Sequence, residues 1–104
     1  MDMKQMMRQA QKMQKQLNQA QEELATMTYE ATAGGGMVKA VVGGDMSLKS
    51  IEIDPEAVDP EDVEMLQDMV LAAVNEALRG MGEVSEARLS AVTGGMNIPG
   101  MPGF

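Results

Sequence analysis

The chain has 104 residues, enough for one small domain, and no cysteine or histidine. That composition excludes disulfides, thiolate chemistry, the usual zinc ligand sets and histidine general-base catalysis. The net charge of −8 sets the molecule as a whole against polyanions, while one Tyr, one Phe, no Trp and 13 Met leave a core of few large rigid side chains. A core this thin predicts that dimerisation completes the stability. No apolar run approaches the ~20 residues of a membrane span, and the N-terminus lacks the apolar core of a signal peptide, so a cytoplasmic location without membrane contact is expected.

Residues 3–27 follow a strict 3-4 repeat. Met3, Ala10, Leu17 and Leu24 share one heptad position, and Met6, Met13, Ala20 and Met27 share the other. The run has no Gly or Pro and is rich in Gln, Lys, Met and Ala, so a helix of roughly 35 Å is expected. Such a helix is longer than the sheet beside it is wide. Part of it must protrude or pack on another chain. Lys4, Arg8, Lys12 and Lys15 stack in one stripe opposite the Met/Leu seam. Their flanks are mostly Gln, and Asp2 is the only acid before Glu22. An ordinary solvated face would look the same; a phosphate-binding face needs this segregation.

Residues 27–53 read as a three-stranded antiparallel meander. Thr28 to Ala33 alternate, with Tyr29, Ala31 and Ala33 on one face. Gly34, Gly35 and Gly36 supply a tight reversal. Met37 to Val42 form the second strand, with Val38, Ala40 and Val42 on one face. Gly43-Gly44 is a two-residue hairpin signal. Leu48 to Ile53 form the third strand, which stops at Asp54-Pro55. A bare three-stranded sheet is not stable in water, so helices or a second copy must cover it.

Asp59 is the expected N-cap of a second helix, with Pro60 at its first position and Glu61, Asp62 and Glu64 in its first turn. The helix is expected to run to about Arg79. Val63, Leu66, Met69, Val70, Ala73, Val74, Ala77 and Leu78 are its apolar stripe. Gly80-Met81-Gly82 predicts a weakening or kink, with a further helical piece over Glu83 to Val92. The domain thus spans residues 1–92, and the Gly/Met/Pro-rich residues 93–104 are expected to be a flexible tail. Residues 54–104 carry ten acids against Arg79 and Arg88, so the chain is polarised, basic first and acidic last.

No catalytic constellation emerges. The serines have no His partner, and the glycine run lacks the Lys-Ser/Thr of a phosphate loop and leads into a strand. No metal site, cofactor or enzymatic activity is expected.

Taken in order, the Gln/Met/Lys helix, GGGMVKAVVGGD, SIEIDPEAV, EDVEMLQDMVLAAVNEAL and the Gly/Met/Pro tail resemble the YbaB/EbfC family of nucleoid-associated DNA-binding proteins. The resemblance covers essentially the whole chain. It implies an α+β homodimer (α-β-β-β-α) whose helices project like tweezers from a sheet body. It also implies binding to double-stranded DNA with little sequence reading, in nucleoid organisation or gene regulation. Lys4, Arg8, Lys12 and Lys15 are the expected phosphate contacts, with Arg79 and Arg88 as further candidates. The family often carries Asn-Gly where this chain has Gly43-Gly44; both pairs reach positive φ, so the turn is expected to survive. Many members carry more cations before the Ile-Asp-Pro motif, where this chain has Lys49 alone. The alternative to DNA binding is a protein-interaction module that uses the Met-rich helix.

Overall fold

The computed structural model describes residues 2–93, so all of the tail expected over 93–104 except Thr93, which belongs to a helix, lies outside the described residues. The run without Gly or Pro closes into one helix, α1 (Met3–Thr26), capped by the Asp2 carboxylate, which accepts from the Gln5 amide at 2.9 Å. Three antiparallel strands follow in the order β1-β2-β3: β1 (Thr28–Ala33), β2 (Val38–Gly43) and β3 (Leu48–Ile53). A single 3-10 turn (Pro55–Ala57) leads to α2 (Val63–Thr93). This is the α-β-β-β-α order read from the sequence, with β2 shifted by one residue.

Helix α2 lies across β1 and β2. Ala73, Ala77 and Met81 are buried against Ala31, Val38, Ala40 and Val42. Alanines on both sides let the helix approach the sheet closely. The other sheet face is polar. There the Lys39 ammonium bridges Glu52 at 3.2 Å and Glu30 at 4.0 Å, a cross-strand charge cluster. The hydrogen bond to Glu52, and next the charge of Glu30, raise the Lys39 pKa.

Three expectations are corrected. First, α2 does not break at Gly80-Met81-Gly82 but continues to Thr93. Gly80 is there for space: a Cβ would lie 2.2 Å from the Tyr29 ring. Met81, between the two glycines, is fully buried. Packing at Gly80 and Met81 outweighs the ~1 kcal/mol that each glycine costs a helix. Second, Asp59 and Pro60 do not start the helix. The Asp59 carboxylate accepts from the Glu61 amide at 2.9 Å within a turn, and Asp62 takes the capping place, accepting from the Met65 amide at 3.3 Å.

Third, Gly43-Gly44 is not a two-residue hairpin with positive φ. The loop spans three residues, closed by the Gly43 amide donating to the Ser47 carbonyl at 2.8 Å, and its left-handed residue is Met46 at φ 63°. Gly44 serves close approach instead. Its amide donates to the Met27 carbonyl at 2.9 Å, and a Cβ there would lie 1.7 Å from the Leu24 carbonyl oxygen. The loop thus clasps the end of α1. The first hairpin does use positive φ, at 64°, 68° and 94° for Gly34, Gly35 and Gly36.

Asp45 organises the second loop. Its carboxylate accepts from the Ser47 hydroxyl at 2.6 Å, the Ser47 amide at 3.1 Å and the Lys49 ammonium at 3.2 Å. These contacts, led by the Ser47 hydroxyl, lower its pKa from 3.8 to about 2. A depressed carboxylate pKa favours the folded state above the unfolded value and loses that effect as pH falls through the folded one.

Urea titration of Gly80→Ala should show a loss of about 1–2 kcal/mol, because overpacking against the Tyr29 ring exceeds the gain in helix propensity. Gly82→Ala, which meets nothing within 4 Å, should gain up to about 1 kcal/mol in the same assay. Thermal melts of Asp45→Asn should fall below wild type at neutral pH. That difference should shrink between pH 3.8 and about 2, the interval bounded by the two pKa values; a difference constant across the interval would remove Asp45 as its source.

Candidate nucleic-acid interface

The first half of α1 has little beside it. Ala20 and Leu24 are buried and Met13 and Leu17 half-buried, but residues 2–12 are exposed. The second half of the seam packs on the chain's own α2, whose end at Ala91 and Val92 lies beside Gln16 and Gln19. Residues 3–12 therefore form an arm beyond the covered part. It contributes to a long, thin molecule of 71 × 27 × 15 Å.

Lys4, Arg8, Lys12 and Lys15 all lie on this arm or at its root, and all are exposed. The stripe runs over 12 residues, roughly 16 Å along the helix axis. Among the described residues none of the four is ion-paired, and Asp2 is committed to capping.

The other four cations of the chain are all held by carboxylates. Lys39 meets Glu30 and Glu52, and Lys49 meets Asp45 at 3.2 Å. The Arg79 guanidinium donates to Glu76 at 2.9 Å and Glu83 at 2.7 Å. The Glu76 bond comes first among the causes that raise the Arg79 pKa, and the same bond lowers that of Glu76. Arg88 pairs with Glu23 and so ties α2 to α1. Sequence reading named Arg79 and Arg88 as further DNA-contact candidates; the structure brings them neither to the stripe nor to each other. They are nine residues apart on one unbroken helix, about two and a half turns, so they point to opposite sides of α2.

The acids gather elsewhere. Asp62, Glu64 and Asp68 line a cleft with Ala33, Gly34, Met65, Met69 and Ala72, where α2 begins beside the first hairpin. The far end of α2 is the one that meets α1. Unpaired positive charge and clustered negative charge thus occupy opposite ends of the long axis.

A second exposed feature is apolar. Ile53 of β3 and Leu66, Val70, Leu71 and Val74 of α2, with Gln67, line an open cleft of about 420 Å³ whose lining is almost wholly apolar. Leu71 is 60% exposed and Ile53 39% exposed. Helix α2 covers β1 and β2 and leaves β3 beside this cleft. Sequence reading assigned Leu66, Val70 and Val74 to the stripe of α2 but could not separate the covered side from the bare one. No helix among the described residues is long and apolar enough to cross a membrane.

The chain was also compared with known proteins. A family model described as the YbaB/EbfC DNA-binding family matches residues 1–96. A nucleoid-associated protein of Thermoanaerobacter pseudethanolicus is 56% identical over 96 residues, covering 92% of this chain and 86% of that protein. One from Alkaliphilus metalliredigens is 54% identical over 100 residues, covering 96% and 88%. The crystal structure of the uncharacterized protein HP0035 from Helicobacter pylori superposes with a TM-score of 0.72 at 26% identity, covering 84% of this chain and 91% of that one.

Proposed function

The chain belongs to the YbaB/EbfC DNA-binding family, and we propose that it binds duplex DNA on the nucleoid as a homodimer, with little sequence reading, through the α1 arms. The observation that carries this reading is the division of the cations. Four are neutralised within the fold; the four that are not ion-paired among the described residues form one stripe on one projecting helix.

Lys4, Arg8, Lys12 and Lys15 would lie along the phosphates. Phosphate contacts of this kind release counterions and position a protein without reading bases. Dimerisation doubles the stripe. The clustered acids at the start of α2 would be repelled by the duplex, so the same field that attracts the arms orients the body away from it. Arg79 and Arg88, each held by carboxylates, would contribute little. Such binding suits nucleoid organisation and broad effects on gene expression. No catalysis is assigned.

For the homodimer, the apolar cleft between β3 and α2 supports an interface there. Ile53, Leu66, Val70, Leu71 and Val74 are a continuous apolar lining at the edge of a small core, and a second copy would withdraw it from water. The Met/Leu seam is less suited to the dimer contact, because half of it is already used against α2.

Fluorescence anisotropy with a labelled random-sequence duplex tests the DNA reading. If about four to six phosphates are contacted per dimer, log Kd plotted against log salt should rise with a slope of roughly 4 to 5. Replacing Lys4, Arg8, Lys12 and Lys15 with Gln should abolish binding, whereas Arg79→Gln should leave it nearly unchanged. No binding by the wild-type dimer at low salt would overturn the reading. For the dimer, sedimentation of Val70→Asp/Leu71→Asp should give a monomer, since a charge in the buried lining costs several kcal/mol. A dimer that survives both substitutions lies elsewhere.

A further inference from the structure

The arm has a second face. Met3, Met6 and Met7 are 80%, 56% and 60% exposed, and Ala10 is exposed beside them. Met3, Met6 and Ala10 continue, in unbroken heptad register, the seam whose Met13 and Leu17 are half-buried and whose Ala20 and Leu24 are buried; Met7 flanks it. Among the described residues, the helical cover reaches as far as Ala91 and Val92 beside Gln16 and Gln19. Beyond that point the seam still has its apolar residues and no described element over it.

DNA is not the occupant that this face fits. It lies opposite the cation stripe, so when the cations meet phosphates the methionines point away from the duplex. The flanks fit a helix. Met7 and Gln9 beside the exposed stretch of the seam are uncharged, so a helix laid on it would bury no cation.

We propose that the arm seam pairs with the arm of another dimer, antiparallel, about a two-fold axis between Met6 and Met7. This rests on the DNA reading above for its consequence, though not for the contact itself. The symmetry accounts for the residue pattern. About that axis Met3 lies opposite Ala10, large against small, and Met6 opposite Met7. The cations are also kept apart: Lys4 falls opposite Gln9 and Arg8 opposite Gln5. A parallel pair would set Lys4 beside Lys4 and Arg8 beside Arg8. In the antiparallel pair the two cation stripes face outward on opposite sides. Each can then hold a different duplex, and the paired arms bridge two DNA segments.

The seam is only two turns long, so the pairing is weak in free solution. It becomes effective when DNA concentrates the arms. The apolar cleft proposed for the dimer lies near residues 66–74 of α2, roughly 25 to 40 Å along that helix from the root of the arm, so the two contacts do not compete.

The test compares wild type with Met3→Gln/Met6→Gln/Met7→Gln and with Met6→Leu/Met7→Leu. All three side chains are exposed, so these variants should fold; circular dichroism melts check this. Two readouts are taken: affinity for a duplex that admits one dimer, and capture of a second labelled duplex by an immobilised one. The Gln variant should keep the short-duplex affinity within about twofold and lose bridging by about tenfold or more. The Leu variant, still apolar, should bridge. Bridging that survives the Gln substitutions overturns the proposal. So does absence of bridging by wild type, or a short-duplex affinity that falls together with bridging. Sedimentation of the protein alone at high concentration separates the two readings. If wild type binds no DNA, the DNA reading fails. Dimer-to-tetramer association lost in the Gln variant would still support arm pairing, and its absence in wild type would overturn it.

Discussion

Helix α2 reaches the sheet because the residues between them are small. Ala73 and Ala77 sit over Ala31, Val38, Ala40 and Val42, and together with Met81 they make up most of the buried core. With no tryptophan and a single tyrosine, the chain fills its interior by bringing backbones together rather than by inserting large side chains. The glycines follow from this. Gly80 makes room for the Tyr29 ring, and Gly44 lets the second loop close on the end of α1. Because Gly80 and Met81 are packed in place, α2 runs unbroken past them to meet α1, and its reach among the described residues decides how much of α1 is left as an arm.

The charge pattern follows from the same geometry. A chain of net charge −8 is a poor polyanion ligand when considered as a sum. The fold changes what that sum means. It holds Lys39, Lys49, Arg79 and Arg88 against carboxylates, and it carries the four cations of α1 away from the acids at the start of α2. Exposed ion pairs of this kind add little stability. Their consequence is spatial: they remove stray positive charge from the body and leave it on the arm. Over a molecule 71 Å long, much longer than a Debye length of about 8 Å in physiological salt, the two ends act as separate electrostatic objects.

The methionines divide into two roles along the same lines. Met81 is buried and Met69 packs against the core, where a flexible thioether fits irregular gaps between alanines. Met3, Met6 and Met7 are on the surface, in register with the core-facing seam but past the reach of α2. A long α1 and a shorter covering stretch of α2 thus produce an apolar face opposite a basic one on a single helix.

Much of this was legible in the sequence. The uninterrupted helix, the three strands and their faces, the triple-glycine hairpin and the cation stripe all come from local periodicity and turn chemistry, which act over a few residues and need no knowledge of the rest of the chain. The resemblance to a DNA-binding family rested on the same ordered segments. What local rules misjudged lay where packing overrides propensity. Gly80 and Gly82 read as a helix break, and Gly43-Gly44 read as a positive-φ turn, because a sequence shows a missing Cβ without showing what approaches it. Asp59 looked like the helix cap because Pro60 suits a first turn, and Asp62 took that place three residues on. The pairing of Arg79 and Arg88, the reach of α2 along α1 and the bare cleft beside β3 were decided by the tertiary structure alone. Each depends on the relative placement of segments far apart in the chain, and an unbroken α2 is what sets that placement.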